Sequence, residues 1–254
     1  LYTMICFMRK ASVVITLCFF TSFSQAAELN HSREYARCMG LAPSDPNDAY
    51  EMATAWKSMG GGDAAEHCAA VALYYSGKAE YAARRLEVLA ETIIATPEFK
   101  GEILRQAGRA WLSHGDAVRA EATLTEAAKF LRGRPGILID RSEARAALGD
   151  YKGAVEDLTN AISADASRAE AFAFRASAYR YLDELGKARA DIEAALILEP
   201  DAAEALLERG ILFRLAENKD AARADWLKVL ELDPDGEAGR LARANIEKMY
   251  VNVN

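Results

Sequence analysis

The chain has 254 residues, room for one large domain or two small ones, with 38 acidic side chains against 31 Lys and Arg. Seven net negative charges argue against sequence-independent nucleic-acid binding, which needs a cationic surface. With only 6 prolines and abundant Ala, Leu, Glu and Arg, the composition fits an all-helical chain.

The first 26 residues have the layout of a secretory signal peptide. Arg9-Lys10 is followed by the apolar run Ala11–Phe23 and by Ser24-Gln25-Ala26, whose small residues suit cleavage after Ala26. Met8 is the natural initiator, and Leu1–Phe7 reads as an over-extended start. The alternative is an uncleaved anchor, but 13 apolar residues fall short of the ~20 that span a bilayer. The expectation is therefore an exported chain, periplasmic or secreted, with no stable membrane span after cleavage. Cleavage removes Arg9, Lys10 and two of the four cysteines, leaving Cys38 and Cys68 as a pair.

From about residue 101 onward the chain repeats every 34 residues, in copies expected at 101–134, 135–168, 169–202 and 203–236. Upstream the pattern loosens into a divergent copy at 63–100 and a degenerate helical hairpin at 27–62. In that hairpin Ala49, Ala53 and Trp56 share a helical face, Pro43-Ser44-Asp45-Pro46 turns the chain, and Gly60-Gly61-Gly62 ends it. On the phase of the clear copies, Cys38 and Cys68 sit on the first helices of neighbouring hairpins. In an oxidising compartment they are expected to bond; two buried free thiols acting as small hydrophobes fit the same sequence. In the copy at 63–100, Ala70, Leu73, Ala82 and Leu86 occupy the packing columns and Gly77 the turn, and Thr96-Pro97-Glu98-Phe99 reads as a four-residue insertion.

Across the four clear copies three columns stay in register. Gly108, Ser142, Ala176 and Gly210 are all small, as are Ala120, Ala154, Ala188 and Ala222; Leu124, Leu158, Ile192 and Trp226 are all large and apolar. Small residues let two helix backbones approach, and the large ones fill the space between successive pairs. Ser167-x-x-Glu170, Asp201-x-x-Glu204 and Asp63-x-x-Glu66 have capping-box spacing. Gly133 and Pro135 mark an inter-repeat turn, and Gly115-Asp116 and Gly149-Asp150 mark turns inside a repeat. Residues 237–254 form a capping helix and tail with Leu241, Ile246 and Met249 on one stripe.

The copy Leu206-x-x-Arg209-Gly210-x-x-Phe213, then Ala222-x-x-x-Trp226, then Pro234, closely resembles the tetratricopeptide repeat, and the whole chain is similar to exported bacterial proteins of that family. The resemblance implies a right-handed α-solenoid of stacked antiparallel helix pairs, closed by the C-terminal helix. It also implies that the first helix of each pair lines a concave groove holding an extended or helical segment of another protein. Carried onto this chain, the groove positions are His67, Tyr74, Tyr75, Arg105 and Arg109, then Glu143, Arg180, Tyr181, Leu207 and Arg214. Arg105 and Arg109, four apart on one helix, suit a carboxylate; equally, they could pair with Glu102 or Glu143 on this chain. Chaperone-binding members use a Lys/Asn-rich clamp, and no asparagine stands at the matching positions here.

No catalytic constellation emerges. The three histidines, His31, His67 and His114, lie on different repeats without metal-pair spacing. His67 and Cys68 are adjacent, and adjacent helical side chains point about 100° apart. No phosphate-binding loop, nucleophile elbow or dinucleotide fingerprint is present. The expectation is a non-catalytic protein-interaction scaffold in the bacterial cell envelope, with no cofactor and no metal. The alternatives are an accessory that recruits a cell-wall or secretion enzyme, or a binder of a small anionic ligand or glycan through Arg105 and Arg109.

Overall fold

A computed structural model describes residues 30–251, which form α-helices and no strand. The expected leader, residues 1–26, lies outside the described residues. The helices run in antiparallel pairs: α1 (His31–Leu41) with α2 (Pro46–Trp56), α3 (Gly62–Tyr75) with α4 (Ala79–Thr92), and α5 (Pro97–His114) with α6 (Ala117–Phe130). They continue with α7 (Pro135–Ala147) and α8 (Tyr151–Ala164), α9 (Ala169–Tyr181) and α10 (Leu185–Leu198), and α11 (Ala203–Leu215) and α12 (Lys219–Leu232). The last helix, α13 (Glu237–Val251), covers the exposed end of α11 and α12. This is the all-α, right-handed solenoid that the repeats imply.

One turn design joins the two helices of each pair from α3–α4 to α11–α12. One or two residues past the end of the first helix a residue adopts a left-handed conformation, and the next amide reaches back to a carbonyl in the last helical turn. Gly77, Gly115 and Gly149 take this conformation without cost, at φ 78°, 91° and 79°. The two later repeats place Asp183 and Glu217 there, at φ 60° and 59°. The closing bonds are nonetheless the same, from Glu184 N–H to Tyr179 O and from Asn218 N–H to Phe213 O, both 2.9 Å.

The helix caps differ from the sequence expectation. Side chains cap the second helices α6, α8 and α12: Asp116, Asp150 and Asn218 accept from the backbone N–H groups of Arg119, Gly153 and Ala221. The three expected capping boxes do not form. Ser167 turns back to Asp165, donating its hydroxyl at 2.6 Å, and α9 starts after Arg168. α11 starts after Ala202 with no side-chain cap. α3 is entered from a π-helical turn, Lys57–Gly61, so Asp63 already lies inside its first turn. The Thr96–Phe99 insertion sits at the start of α5. Thr96 caps α5 by accepting from Phe99 N–H, and Pro97, Glu98 and Phe99 form the first residues of this 18-residue helix.

The core follows the small and large columns. A Cβ on Gly210 would lie 2.7 Å from Trp226 Cδ1 and 2.9 Å from Cε2, so the fully buried indole occupies the space a side chain would need. Gly108 makes the same room for Leu124. A polar ladder runs parallel to this core. Arg141, Arg175 and Arg209 each grip a carboxylate sixteen residues on, Asp157, Asp191 and Asp225, through two bonds of 2.5–2.8 Å. Arg175 also donates to Thr159 of the preceding repeat at 3.1 Å, so the ladder ties repeats together as well as helices within a pair. At the N-terminal end the Cys38–Cys68 disulfide joins α1 to α3, with Cα atoms 6.1 Å apart and both residues fully buried.

Candidate interaction groove

Contacts between successive pairs distinguish the two layers of the solenoid. First helices touch first helices: α1 with α3, α5 with α7, α7 with α9, and α9 with α11, with α13 continuing the row against α11. No two second helices make comparable contact among the described residues. The layer whose neighbours approach more closely is the inside of the curve, so the first helices and α13 line the concave face.

At its N-terminal end Tyr74 and Tyr75 meet edge to face, with ring centres 5.4 Å apart. With Met39, Val71, Gln106 and Arg109 they line a recess of about 250 Å³. Arg109 is exposed and makes no ion pair among the described residues. His67 is expected on this open face, and the structure corrects that placement: the ring is 2 % exposed. Tyr35 donates its hydroxyl to Nδ1 at 2.6 Å, and Nε2–H donates to Gln106 Oε1 at 2.8 Å. Phe99, brought in by the lengthened start of α5, packs edge-on against the ring at 5.7 Å. Burial lowers the imidazole pKa, and neutral His67 acts as a bridge between three first helices.

In the middle of the face Arg105 is committed internally. It donates to Asp140 Oδ2 at 2.5 Å and contacts Glu102 at 3.4 Å. Burial pushes the Asp140 carboxyl up despite this bond. Arg105 and Arg109 therefore do not act as two free forks. Glu143, one helical turn beyond Asp140, is solvent-exposed yet walled by protein, and its pKa is raised to about 7. Desolvation is the main cause, reinforced by the carboxylates of Asp140, Glu237 and Glu170 and opposed by Arg109.

Toward the C-terminus Glu143, Arg180, Tyr181, Leu207 and Arg214 line one cavity of about 470 Å³. Arg180 is bound to Glu208 through Nε, with Nη2 at 3.3 Å from Oε2, and lies 4.3 Å over the Tyr181 ring. Tyr181 in turn stacks flat on Tyr151, ring centres 4.4 Å apart. Leu207 forms the floor at 9 % exposure, and Arg214 is exposed at the rim. Sequence reasoning missed the contribution of α13, which brings Glu237, Leu241 and Asn245 into the same wall. A cap and a wall carry the same apolar stripe; only Leu241, left 47 % exposed although it belongs to that stripe, sets them apart.

Among the described residues no group of three or more His, Cys, Asp or Glu is placed to hold a metal ion. No described helix is long and apolar enough to cross a membrane.

No protein-family model and no curated protein matches the sequence. Solved structures do match the fold. TTC0263, a thermophilic TPR protein of Thermus thermophilus, superposes with a TM-score of 0.60 at 24 % identity, over 72 % of this chain and 99 % of its own. PilF of Pseudomonas aeruginosa gives 0.60 at 14 % identity, over 85 % of this chain and all of its own. The Cut9–Hcn1 hetero-tetramer of the APC/C gives 0.60 at 14 % identity, over 85 % of this chain and 46 % of that one. With packing columns every 34 residues and these neighbours in structure, the chain has the tetratricopeptide-repeat fold.

Proposed function

We propose that this protein is a non-catalytic interaction scaffold that holds an extended or helical segment of a partner protein in its concave groove, within the bacterial cell envelope. One observation carries the reading. The concave face presents unspent recognition groups, Tyr75, Arg109, Ile211 and Arg214, around two recesses, while the arginines of the core ladder are consumed internally. Half-exposed aromatic and arginine side chains beside apolar hollows are the composition of interface anchors. The envelope assignment draws on the leader-like N-terminus and on the buried Cys38–Cys68 bond, which persists in an oxidising compartment.

The test is affinity capture from envelope extract, comparing wild type with a Tyr75→Ala, Arg109→Ala, Ile211→Asp variant of matched thermal stability. A second variant, Tyr81→Ala with Val118→Ser, alters exposed positions on second helices. The reading expects one specific protein to be retained by wild type and by the second-helix variant, and lost from the groove variant. Equal capture by all three would remove the groove from the account.

A further inference from the structure

The C-terminal recess has a charge pattern opposite to the one an arginine-lined groove would offer. Its wall carries four carboxylates, Glu143, Glu204, Glu208 and Glu237, against two guanidiniums, Arg180 and Arg214. The Arg180–Glu208 pair is closed on itself. Glu143, Glu204 and Glu237 then face a single uncommitted arginine, and none of the four makes an ion pair among the described residues. These carboxylates come from three helices, α7, α11 and α13, and converge on one space. The Glu237 carboxylate helps to raise the Glu143 pKa, which places the two carboxylates within electrostatic reach across the groove. Beneath them the floor is apolar, built by Phe174, Leu207, Ile211 and Leu241.

We infer that this recess takes a lysine or arginine of the partner segment, its alkyl stem lying on the Leu207–Ile211–Leu241 floor and its charged head between Glu143 and Glu237. The inference rests on the groove reading above and names the chemistry of one anchor within it. Long cationic side chains bury their methylenes on apolar surface while the head stays near polar groups. A cation between two like charges removes a repulsion already present in the free protein. An acidic segment would add to that repulsion, so the same groups that accept a cation reject the opposite sign. The recess thereby commits the scaffold to a basic, apolar-flanked segment.

The experiment uses a phage-displayed library of random twelve-residue peptides, selected on the immobilised full chain. One selected peptide is then titrated against wild type, a Glu143→Gln, Glu237→Gln variant and a Glu126→Gln, Glu193→Gln variant. The last makes the same charge change at exposed positions on second helices. The expected result is enrichment of Lys or Arg next to a large apolar residue. The groove variant should bind the peptide at least tenfold more weakly, and the second-helix variant within twofold of wild type. Basic peptides that bind all three proteins alike, that weaken equally with both variants, or that give way to acidic or uncharged winners overturn the cation site and leave the groove reading standing. No enrichment over the uncoated support overturns both.

Discussion

The packing of Gly210 against Trp226 makes a quantitative prediction that runs against helix propensity. Gly210→Ala places a methyl 2.7 Å from Trp226 Cδ1 and 2.9 Å from Cε2, where carbon atoms in contact sit about 3.5–4.0 Å apart. The indole must retreat by roughly 1 Å to restore that spacing. It is 0 % exposed, and its Nε1–H donates to Leu207 O at 3.1 Å, so retreat crowds the α11–α12–α13 core and strains that bond. Overpacking of this kind costs about 1–3 kcal/mol, and a weakened buried hydrogen bond adds about 0.5–1.5 kcal/mol. Alanine recovers about 0.8–1 kcal/mol of helix propensity, so the net expectation is a loss of roughly 0.5–3.5 kcal/mol. The control is Gly186→Ala on α10, where an added Cβ meets nothing within 4 Å; it should be neutral or stabilising by up to about 1 kcal/mol. Adding Trp226→Ile to Gly210→Ala recreates the Ala176–Ile192 pair of the preceding repeat. Within a double-mutant cycle the two changes should therefore couple favourably by about 0.5–3 kcal/mol. Urea titration followed by circular dichroism reads wild type, the Gly186→Ala control, both single variants of the cycle and the double variant. Equal stabilisation by Gly210→Ala and Gly186→Ala would refute the close-approach argument.

Glu217→Gly, at the left-handed turn between α11 and α12, should raise stability by about 0.5–1 kcal/mol by removing a conformation costly for a residue with a Cβ; thermal melting measures it. Arg175→Ala strands Asp191, only 7 % exposed, and should cost about 2–4 kcal/mol. The Arg175→Met, Asp191→Leu double change should recover at least half of that in the same urea assay. Replacing Cys38 and Cys68 by serine opens a cross-link spanning 30 residues and should cost about 3–4 kcal/mol in the chain-entropy picture. Hydrogen exchange should show the loss concentrated in α1–α3. Glu143 has its folded pKa raised to about 7, so its contribution favours folding below its ordinary value of 4.5 and is lost as pH rises through 7. Glu143→Gln should therefore be more stable than wild type at about pH 8 and indistinguishable at about pH 4. Solvent screening keeps the gain below about 1 kcal/mol. Any peptide cation held there should bind more tightly at about pH 8 than at about pH 6, because Glu143, whose pKa desolvation and the Asp140, Glu237 and Glu170 carboxylates raise to about 7 against the pull of Arg109, is charged at the higher pH and largely protonated at the lower.

The architecture is legible because packing forces every repeat to solve the same steric problem. Gly108, Ser142, Ala176 and Gly210 must all be small where Leu124, Leu158, Ile192 and Trp226 are large, and that constraint writes a period into the chain. The Arg–Asp ladder carries the same 34-residue period at Arg141, Arg175 and Arg209, and at Asp157, Asp191 and Asp225. It escapes a sequence reading because charged columns resemble solvated faces, whereas two-pronged pairing keeps these aspartates buried. The groove is legible only in outline. Helical phase tells which side a residue occupies, and it places Tyr75, Glu143 and Arg214 well enough. It does not tell which side chain from the next helix will meet it. Arg105 is taken by Asp140, Arg180 by Glu208 and His67 by Tyr35 and Gln106, partners 28 to 39 residues away in sequence. The lengthening of α5, which carries Phe99 to His67, depends on a threonine cap and a proline whose place inside the four-residue insertion the repeat phase does not specify.

Site-specific photo-cross-linking tests the central claim most directly. A benzoylphenylalanine is placed in turn at Tyr75 and Ile211 on first helices, and at Tyr81 and Val118 on second helices, and the cells are irradiated. The account predicts one shared partner adduct from Tyr75 and Ile211 and none from Tyr81 or Val118. Adducts from the second-helix positions, with the groove positions silent, would contradict it.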